Sequence, residues 1–276
     1  MKTRIILFIS MLFLFAFACS TDEEKVIDQN DKAAFEGEEN VEALFDAVES
    51  VTYSALNYAD ANTDGRKAIL DDPEIACATI SFEGGLESGW IQINFGEGCE
   101  GPDGKIRKGI LEVVYDGHWL EPGSTVTTTT DDFYVDDLKV DGTRVLENIS
   151  ASMNELKYSV VVTGGKITWP DATFITRVTD RVHTISFGDG FEDYILEVEG
   201  TAAGTTRLGT AYEAATVEPL VFKSNCRGTI YLPVQGLKTI NVPDRREIIV
   251  NYGTGDCDNS FTVSIGNYST VVVLNQ

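Results

Sequence analysis

Hydrophobic and polar positions alternate along most of the chain with the two-residue period of a β-strand. From Cys77 onward, short runs rich in Val, Ile, Thr, Tyr and Phe alternate with polar residues and are interrupted by Gly, Asp and Asn. Over a dozen such runs follow one another, with few long loops and no further helical period. The pattern predicts an all-β body over 73–276, a large antiparallel sheet arranged as a sandwich or a strongly curled meander.

A helical period precedes this body. Apolar residues recur at spacings of three and four, which places them on one stripe of a helix. They are Val41, Leu44, Phe45, Val48, Val51, Ala55 and Leu56. The spacing predicts one amphipathic helix over 38–59 that packs on the sheet, followed by a connector that ends at residue 72.

Glycine pairs and repeats subdivide the body. The stretches VDGT (140–143) and TGGK (163–166) each lie between β-rich runs and predict hairpin turns. The stretches INFGEGC (93–99), ISFGDGF (185–191) and VNYGTGDC (250–257) share an aromatic residue followed by Gly-x-Gly. This repeat predicts two related sub-sheets, roughly 73–150 and 180–276.

The repeat also selects a disulfide pattern. Apart from Cys19 the chain has four cysteines, which allow three connectivities. In the first and third repeats one Cys precedes a β-rich run and a second follows the Gly-x-Gly turn. Equivalent positions predict that Cys77 pairs with Cys99 and that Cys226 pairs with Cys257.

The first residues have the pattern of an export signal. Lys2 and Arg4 precede a short apolar run, and Ala16-Phe17-Ala18 fits cleavage after residue 18. The same cut leaves Cys19 first, where a bacterial lipoprotein is acylated, palmitate being one of the acyl groups. The sequence therefore predicts a signal peptide over 1–18 and a lipidated, polar and acidic tether over 19–37. Plain secretion is the alternative.

Charge restricts the partners. The chain has 21 Lys and Arg against 44 Asp and Glu, a net charge of −23. Nucleic acid needs clustered basic residues and is not expected as a partner. An anionic membrane surface would repel the body, so contact with a membrane requires the lipid anchor.

Two stretches resemble a known group of proteins. Ser20-Thr21-Asp22-Glu23-Glu24 resembles the acidic export signal of Bacteroidetes lipoproteins, and residues 98–148 resemble a stretch of uncharacterised lipoproteins from the same bacteria. The resemblance implies an outer-membrane location, lipid-anchored and facing the cell exterior. It implies no activity.

One segment has the outline of a calcium loop. In DANTDGRKAILD (60–71), Asp60, Asn62 and Asp64 occupy the first, third and fifth positions of an EF-hand loop and Asp71 the twelfth. Asp at the last position is shorter than the usual Glu. Calcium is the one cofactor that the sequence suggests, and a polar connector is the alternative.

Catalytic motifs are missing from the sequence. The two His are far apart, no nucleophile elbow is present, and the remaining Cys are expected to be paired. These observations favour a non-enzymatic binding or structural role with an unidentified glycan or protein ligand. The alternative is an exported hydrolase acting on glycans or peptides. A groove lined by Trp or Tyr with two facing carboxylates would favour the hydrolase.

Overall fold

The fold is a single antiparallel β-meander with one long helix across one of its faces. It was obtained as a computed structural model, which describes residues 28–63, 72–151, 155–188, 193–226 and 232–273. Every strand pair in the described part of the chain is antiparallel, and the strands follow one another through the sheet in chain order. The predicted all-β class, with one preceding helix, is confirmed. Of the two predicted arrangements the meander is observed, because the strands form one sheet and not two packed sheets.

Helix α1 spans Gln29–Thr63. The strands are β1 (Thr79–Gly84), β2 (Ser88–Asn94), β3 (Cys99–Glu100), β4 (Ile106–Asp116), β5 (Thr125–Val135), β6 (Leu138–Asn148), β7 (Leu156–Thr168), β8 (Phe174–Phe187), β9 (Tyr194–Thr205), β10 (Ala211–Lys223), β11 (Gln235–Asn241), β12 (Ile248–Thr254), β13 (Ser260–Ile265) and β14 (Tyr268–Val273). The short β3 pairs with β4 beside the main path, and Ser224–Cys226 form a single 3-10 turn. Within the described residues, β1 and β14 are the two edge strands.

Helix α1 runs across the strands from one edge of the sheet to the other. Near its start the ring of Phe35 packs at a tilt against Phe261 of β13, in its middle Phe45 contacts Gly165 of β7, and near its end Tyr58 makes an edge-to-face contact with Phe82 of β1. Its 35 residues span about 52 Å at 1.5 Å per residue. Thirteen strands at about 4.8 Å spacing are about 58 Å wide. The helix therefore covers nearly the whole width of the sheet, and its length is matched to the number of strands.

The helix begins nine residues before the predicted start. Asp28 caps it, because its Oδ1 accepts a hydrogen bond from the backbone N–H of Asn30 at 2.8 Å. Ala34 and Phe35 pack on the second half of the sheet. Residues 29–37, predicted as part of the flexible tether, are thus helical. The prediction failed because the apolar residues of this stretch, Ala33, Ala34 and Phe35, are consecutive and show no helical period.

Two apolar cores lie between the helix and the sheet. The larger core joins the helix from Val41 to Ala59 with buried residues of β2 and β4–β8. The smaller core joins Ala34 with residues of β9–β13. The hydrogen-bonded path is continuous between them, so the two predicted sub-sheets are the two ends of one sheet.

The two predicted glycine hairpins are wrong. VDGT lies inside β6 and TGGK inside β7, and both strands continue past the glycines. The glycines mark register shifts, one between Asp141 and Thr143 and the other between Val162 and Gly165. The ring of Phe45 covers both sites, since a Cβ on Gly165 would lie 3.1 Å from its Cζ. Glycine is needed here for a bulge under an aromatic ring and not for a turn.

The Gly-x-Gly repeats at the two ends of the sheet share a detailed geometry. The Oδ1 of Asn94 accepts a hydrogen bond from Gly96 N at 2.8 Å, and the Oδ1 of Asn251 accepts one from Gly253 N at 2.8 Å. The aromatic residue between them, Phe95 or Tyr252, is buried in both cases.

Both disulfides have the expected pairing, Cys77 with Cys99 and Cys226 with Cys257. Each bond joins one of the Asn-aromatic-Gly turns to the segment that precedes an earlier strand. Equivalent positions in the sequence therefore correctly predicted equivalent bonds.

Candidate functional site

Charged residues from the helix and the sheet meet where α1 lies on the sheet, and all of them are buried or half-buried except Asp46, which is exposed at one end of the set. We call this set the ionic seam. Its acidic members lie on α1 and its basic members on β6, β8 and β11: Glu38, Glu39, Glu42, Asp46 and Glu49; Arg144, Arg177, Arg181, His183 and Lys238. Burying so many charges is unfavourable unless each finds a partner of opposite sign. The pairing of the individual groups therefore determines what this site can do.

Glu38 is the most deeply buried carboxylate of the seam, with none of its surface exposed. Its Oε1 accepts a hydrogen bond from Arg177 Nη2 at 2.8 Å, and its Oε2 accepts one from the Tyr212 hydroxyl at 2.9 Å. Lys238 Nζ lies 4.0 Å away. Burial and the negative charge of Glu38 raise the pKa of Tyr212, which keeps the hydroxyl protonated as a donor.

Glu42, one helical turn later, binds two arginines. Both of its carboxylate oxygens accept hydrogen bonds from Arg181, and Arg177 Nη2 donates to Oε2 at 3.0 Å. Burial favours the neutral acid, but Arg181, Lys238 and Arg177 outweigh it and hold the pKa of Glu42 well below its usual range. A bidentate ion pair between an arginine and a carboxylate fixes the orientation of both side chains.

Lys238 connects the seam to the second core. Its Nζ lies 2.6 Å from Glu39 Oε1 and 3.5 Å from Glu42 Oε2. The Tyr252 hydroxyl donates to the other oxygen of Glu39 at 3.0 Å. Burial alone would lower the pKa of Lys238, but the surrounding negative charge of Glu39 and its neighbours raises it well above the usual value. The lysine is thus held as a cation.

The far end of the seam opens into a small cavity. Asp46, Glu49, Arg144, Arg181 and His183 are among its lining residues, and it has room for about one water molecule. Glu49 Oε2 lies 2.6 Å from Arg144 Nη2, and Glu49 Oε1 lies 3.7 Å from His183 Nδ1. Burial raises the pKa of Glu49, but Arg144 and His183 more than compensate and lower it to about 2.

Asp46 differs from the other acids of the seam. Loss of hydration, followed by repulsion from Glu42 and Glu49, raises its pKa to about 7. The side chain is exposed to solvent at the mouth of the cavity. Exposure weakens the effect of lost hydration on the pKa, whereas the repulsion from the two neighbouring carboxylates remains. The helix therefore presents two carboxylates, Asp46 and Glu49, whose pKa values are displaced in opposite directions.

The predicted calcium ligands are only partly described. Asp60 Oδ2 lies 3.1 Å from His118 Nε2 and accepts a hydrogen bond from Trp119 Nε1 at 3.3 Å. Asn62 is still helical, and its side-chain amide donates to the Tyr58 carbonyl at 2.7 Å.

Asp64 and Asp71, the other two predicted calcium ligands, lie outside the described residues, as does the predicted lipidation site Cys19. Among the residues whose placement is described, no group of three or more His, Cys, Asp or Glu side chains is arranged to hold a metal ion. In the same part of the chain, no helix has the length and hydropathy needed to cross a membrane. The calcium site remains a prediction.

Some members of the ionic seam follow a regular pattern in the sequence. On β8, Arg177, Thr179 and Arg181 alternate with outward-facing residues and point at the helix, whereas Val178 faces outward and is exposed. Alternation correctly indicates a strand, but it does not indicate which face is buried. The acidic residues of α1 recur at helical spacing beside the apolar stripe, which places them on one face of the helix.

Comparison of the chain with protein-family models, with curated proteins and with solved structures finds no match.

Proposed function

We propose that this protein is an outer-membrane lipoprotein, anchored through acylated Cys19 and facing the cell exterior, with a non-enzymatic binding or structural role. The observation that carries the non-enzymatic part is the mutual pairing of the charges in the ionic seam. Glu38, Glu39 and Glu42 are engaged by Arg177, Arg181 and Lys238. Groups that neutralise one another in the interior are not free to bind or transform a substrate.

The seam has a structural explanation on this view. A single helix covers the sheet, and an apolar stripe alone would let it shift along the strands. Charge pairs with fixed partners on β6, β8 and β11 hold it in one register, a use of buried polar groups known from other helical contacts. The result is a rigid body at the end of an acidic tether.

The location rests on the first residues of the chain and on the resemblance to Bacteroidetes surface lipoproteins. A basic start, an apolar run and Ala-Phe-Ala-Cys form the signal, and the acidic residues after Cys19 form the export sequence. One acyl chain binds a membrane only marginally, whereas several bind it stably. A triacylated Cys19 would therefore hold a strongly acidic body at a membrane that otherwise repels it.

The test is fractionation of cells that express the full chain. The wild type and a control with a substitution far from the signal, Asp180→Asn, should sediment with outer membranes, and protease added to intact cells should digest them. Cys19→Ser should move the protein to the soluble fraction. Sedimentation of Cys19→Ser with membranes would contradict the anchor, and protection from protease would contradict the outward orientation.

A second candidate function, an exported hydrolase, is favoured by one observation. Asp46 and Glu49 lie on adjacent positions of one helix face at the mouth of the cavity, and their pKa values are displaced in opposite directions. Such a separation suits one carboxyl to act as an acid and the other as a base.

A panel of glycans and peptides incubated with the purified protein tests this second role. Hydrolysis that Asp46→Asn abolishes and the exposed control Asp180→Asn leaves unchanged would establish it. Wild-type protein that releases no more product than Asp46→Asn would dismiss it.

A further inference from the structure

The edge strand β14 is an uncharged strand edge on a highly charged protein. Its six residues, Tyr268–Val273, include no charged residue and no proline, although the whole chain has a net charge of −23. Its pairing with β13 is continuous from Ser260↔Val273 to Ile265↔Tyr268 without a bulge. On the outer face Val271 and Val273 are 63% and 58% exposed.

A regular strand of this kind presents a free row of backbone N–H and C=O groups along its outer side, because within the described residues β14 pairs only with β13. Natural proteins usually protect such edges with charges, prolines or bulges. A short β-branched segment without charge is also the composition that adds further strands most readily. The backbone N–H and C=O groups of such an edge are best hydrogen-bonded by the backbone of another strand.

The opposite edge of the same sheet is protected. Strand β1 carries the exposed Glu83, and it ends at Gly84, whose φ of 124° is outside the range of an ordinary strand residue. Addition of β14 of one molecule to β1 of the next would build an open filament. The charge of Glu83 and the backbone conformation of Gly84 disfavour the pairing of a further strand with β1. Pairing of β14 with β14 of a second molecule closes by two-fold symmetry and leaves only protected edges.

We propose that β14 is a dimerisation edge, where it pairs antiparallel with β14 of a second copy of this chain. The pairing joins two uncharged segments, so it avoids like charges at the contact in spite of the net charge of each molecule. Opposed residues must face the same side of the sheet, so the two-fold axis passes where one residue lies opposite its own copy, and the two registers centred on Thr270 or Val271 pair the most residues of this six-residue strand. One register places Val271 opposite Val271 of the second copy, and the other places Thr270 opposite Thr270.

The location of β14 also favours a second copy. Phe35, near the start of α1, packs against Phe261 of the adjacent β13, so this edge lies at the end of the molecule where α1 begins, the part of the described chain nearest in sequence to the proposed lipid anchor. Two molecules anchored in one membrane would be concentrated with these ends near each other. This point rests on the proposed lipid anchor, whereas the pairing itself does not.

The test is symmetric cross-linking in the full chain on cells, under oxidising conditions. Directly opposed residues of antiparallel strands have Cα atoms about 4.5–5.5 Å apart, within disulfide range. Either V271C or T270C should give a dimer on a non-reducing gel. V114C is the matched control, because Val114 is 56% exposed in the interior of the sheet, on β4. Cross-linking at neither edge position beyond that of V114C would overturn the proposal.

A second measurement uses the molar mass of the purified full chain in detergent, corrected for bound detergent. The wild type and V114K should be dimeric, and V271K, which places a charge on the edge, should be monomeric at the same concentration. A wild type that stays monomeric, a V271K variant that stays dimeric, or a cross-link of V271C to a different protein would contradict the assignment. Cell fractionation reports on the anchor and cross-linking reports on the pairing, so each can fail without the other.

Discussion

Removal of Glu38 is the most direct test of the ionic seam. In Glu38→Ala the carboxylate that accepts hydrogen bonds from Arg177 and Tyr212 is lost, while the helix remains free to form because Ala is a strong helix former. Arg177 has only 2% of its surface exposed, so water cannot readily replace the lost partner. The variant should therefore fold to the same structure with a lower free energy of unfolding.

The expected loss follows from the two donors that are left behind. A hydrogen bond to a charged group contributes about 1.5–3 kcal/mol, so two such bonds give about 3–6 kcal/mol. Arg177 keeps Glu42 as a partner at 3.0 Å, which moves the estimate toward the lower end. We expect a loss of about 3–4 kcal/mol, in line with the removal of one partner from other buried ion pairs.

Equilibrium unfolding in urea measures this loss, with Glu36→Ala as the matched control. Glu36 lies on the same helix in an exposed pair with Lys32 at 3.6 Å, and its removal should cost about 0.5 kcal/mol or less. Glu38→Gln, which keeps the shape and one acceptor oxygen, should fall between the two. A difference of less than about 1 kcal/mol between Glu38→Ala and Glu36→Ala would refute the reasoning, because the seam would then contribute no more than surface charges do.

Three further outcomes are expected. Because the pKa of Asp46 is raised to about 7, this side chain holds its proton in the folded state between its ordinary pKa of 3.8 and about 7, so its contribution to stability should fall as pH rises through this window. Glu42 and Glu49 have lowered pKa values and act in the opposite sense near their ordinary value of 4.5, so the wild type is compared with Asp46→Asn at each pH. The wild type should lose stability relative to Asp46→Asn as pH rises, and a difference that is constant with pH would contradict the assignment. Cys77→Ala/Cys99→Ala should lower the free energy of unfolding by about 3–4 kcal/mol, because the disulfide joins residues that are 22 positions apart and so restricts the unfolded chain. A loss of less than about 1 kcal/mol would contradict this explanation. If the predicted calcium loop binds, millimolar calcium should raise the melting temperature of the wild type and not that of Asp60→Ala/Asp64→Ala, and an unshifted wild type would end that prediction.

Much of the fold follows from local sequence. The period of two over the body and the period of three and four before it predicted an antiparallel sheet and a helix, because each element must turn one apolar face inward. The repeat around Phe95 and Tyr252 predicted both disulfides. The prediction of the disulfides was correct because the turn beside each bond is a local structure. In each turn an Asn side chain accepts a hydrogen bond from the N–H of the Gly two residues later.

The role of a glycine is not determined by its neighbours in the sequence alone. Gly142 and Gly165 have the sequence context of turns, yet they lie within long strands. The difference is made by Phe45, which is distant in sequence and covers both glycines. A turn and a bulge require the same backbone freedom, and only the packing above the sheet distinguishes them.

What the sequence determined by itself, then, is the type and order of the elements, the two disulfides and the acidic character of the protein, because each depends on neighbouring residues, on a repeat or on composition. The tertiary structure alone decided that the strands form one sheet, that α1 crosses it from β13 to β1, and that Glu38, Glu42 and Glu49 meet Arg177, Arg181 and Arg144. Charged residues on a strand or helix are ordinarily solvated, so the helical spacing of the acidic residues shows that they share a face but not that this face is buried. The burial of these charges becomes favourable only when the helix lies on the sheet and brings each charge to a partner of opposite sign. The partners are about a hundred or more residues apart in the sequence, so only the tertiary structure brings them together.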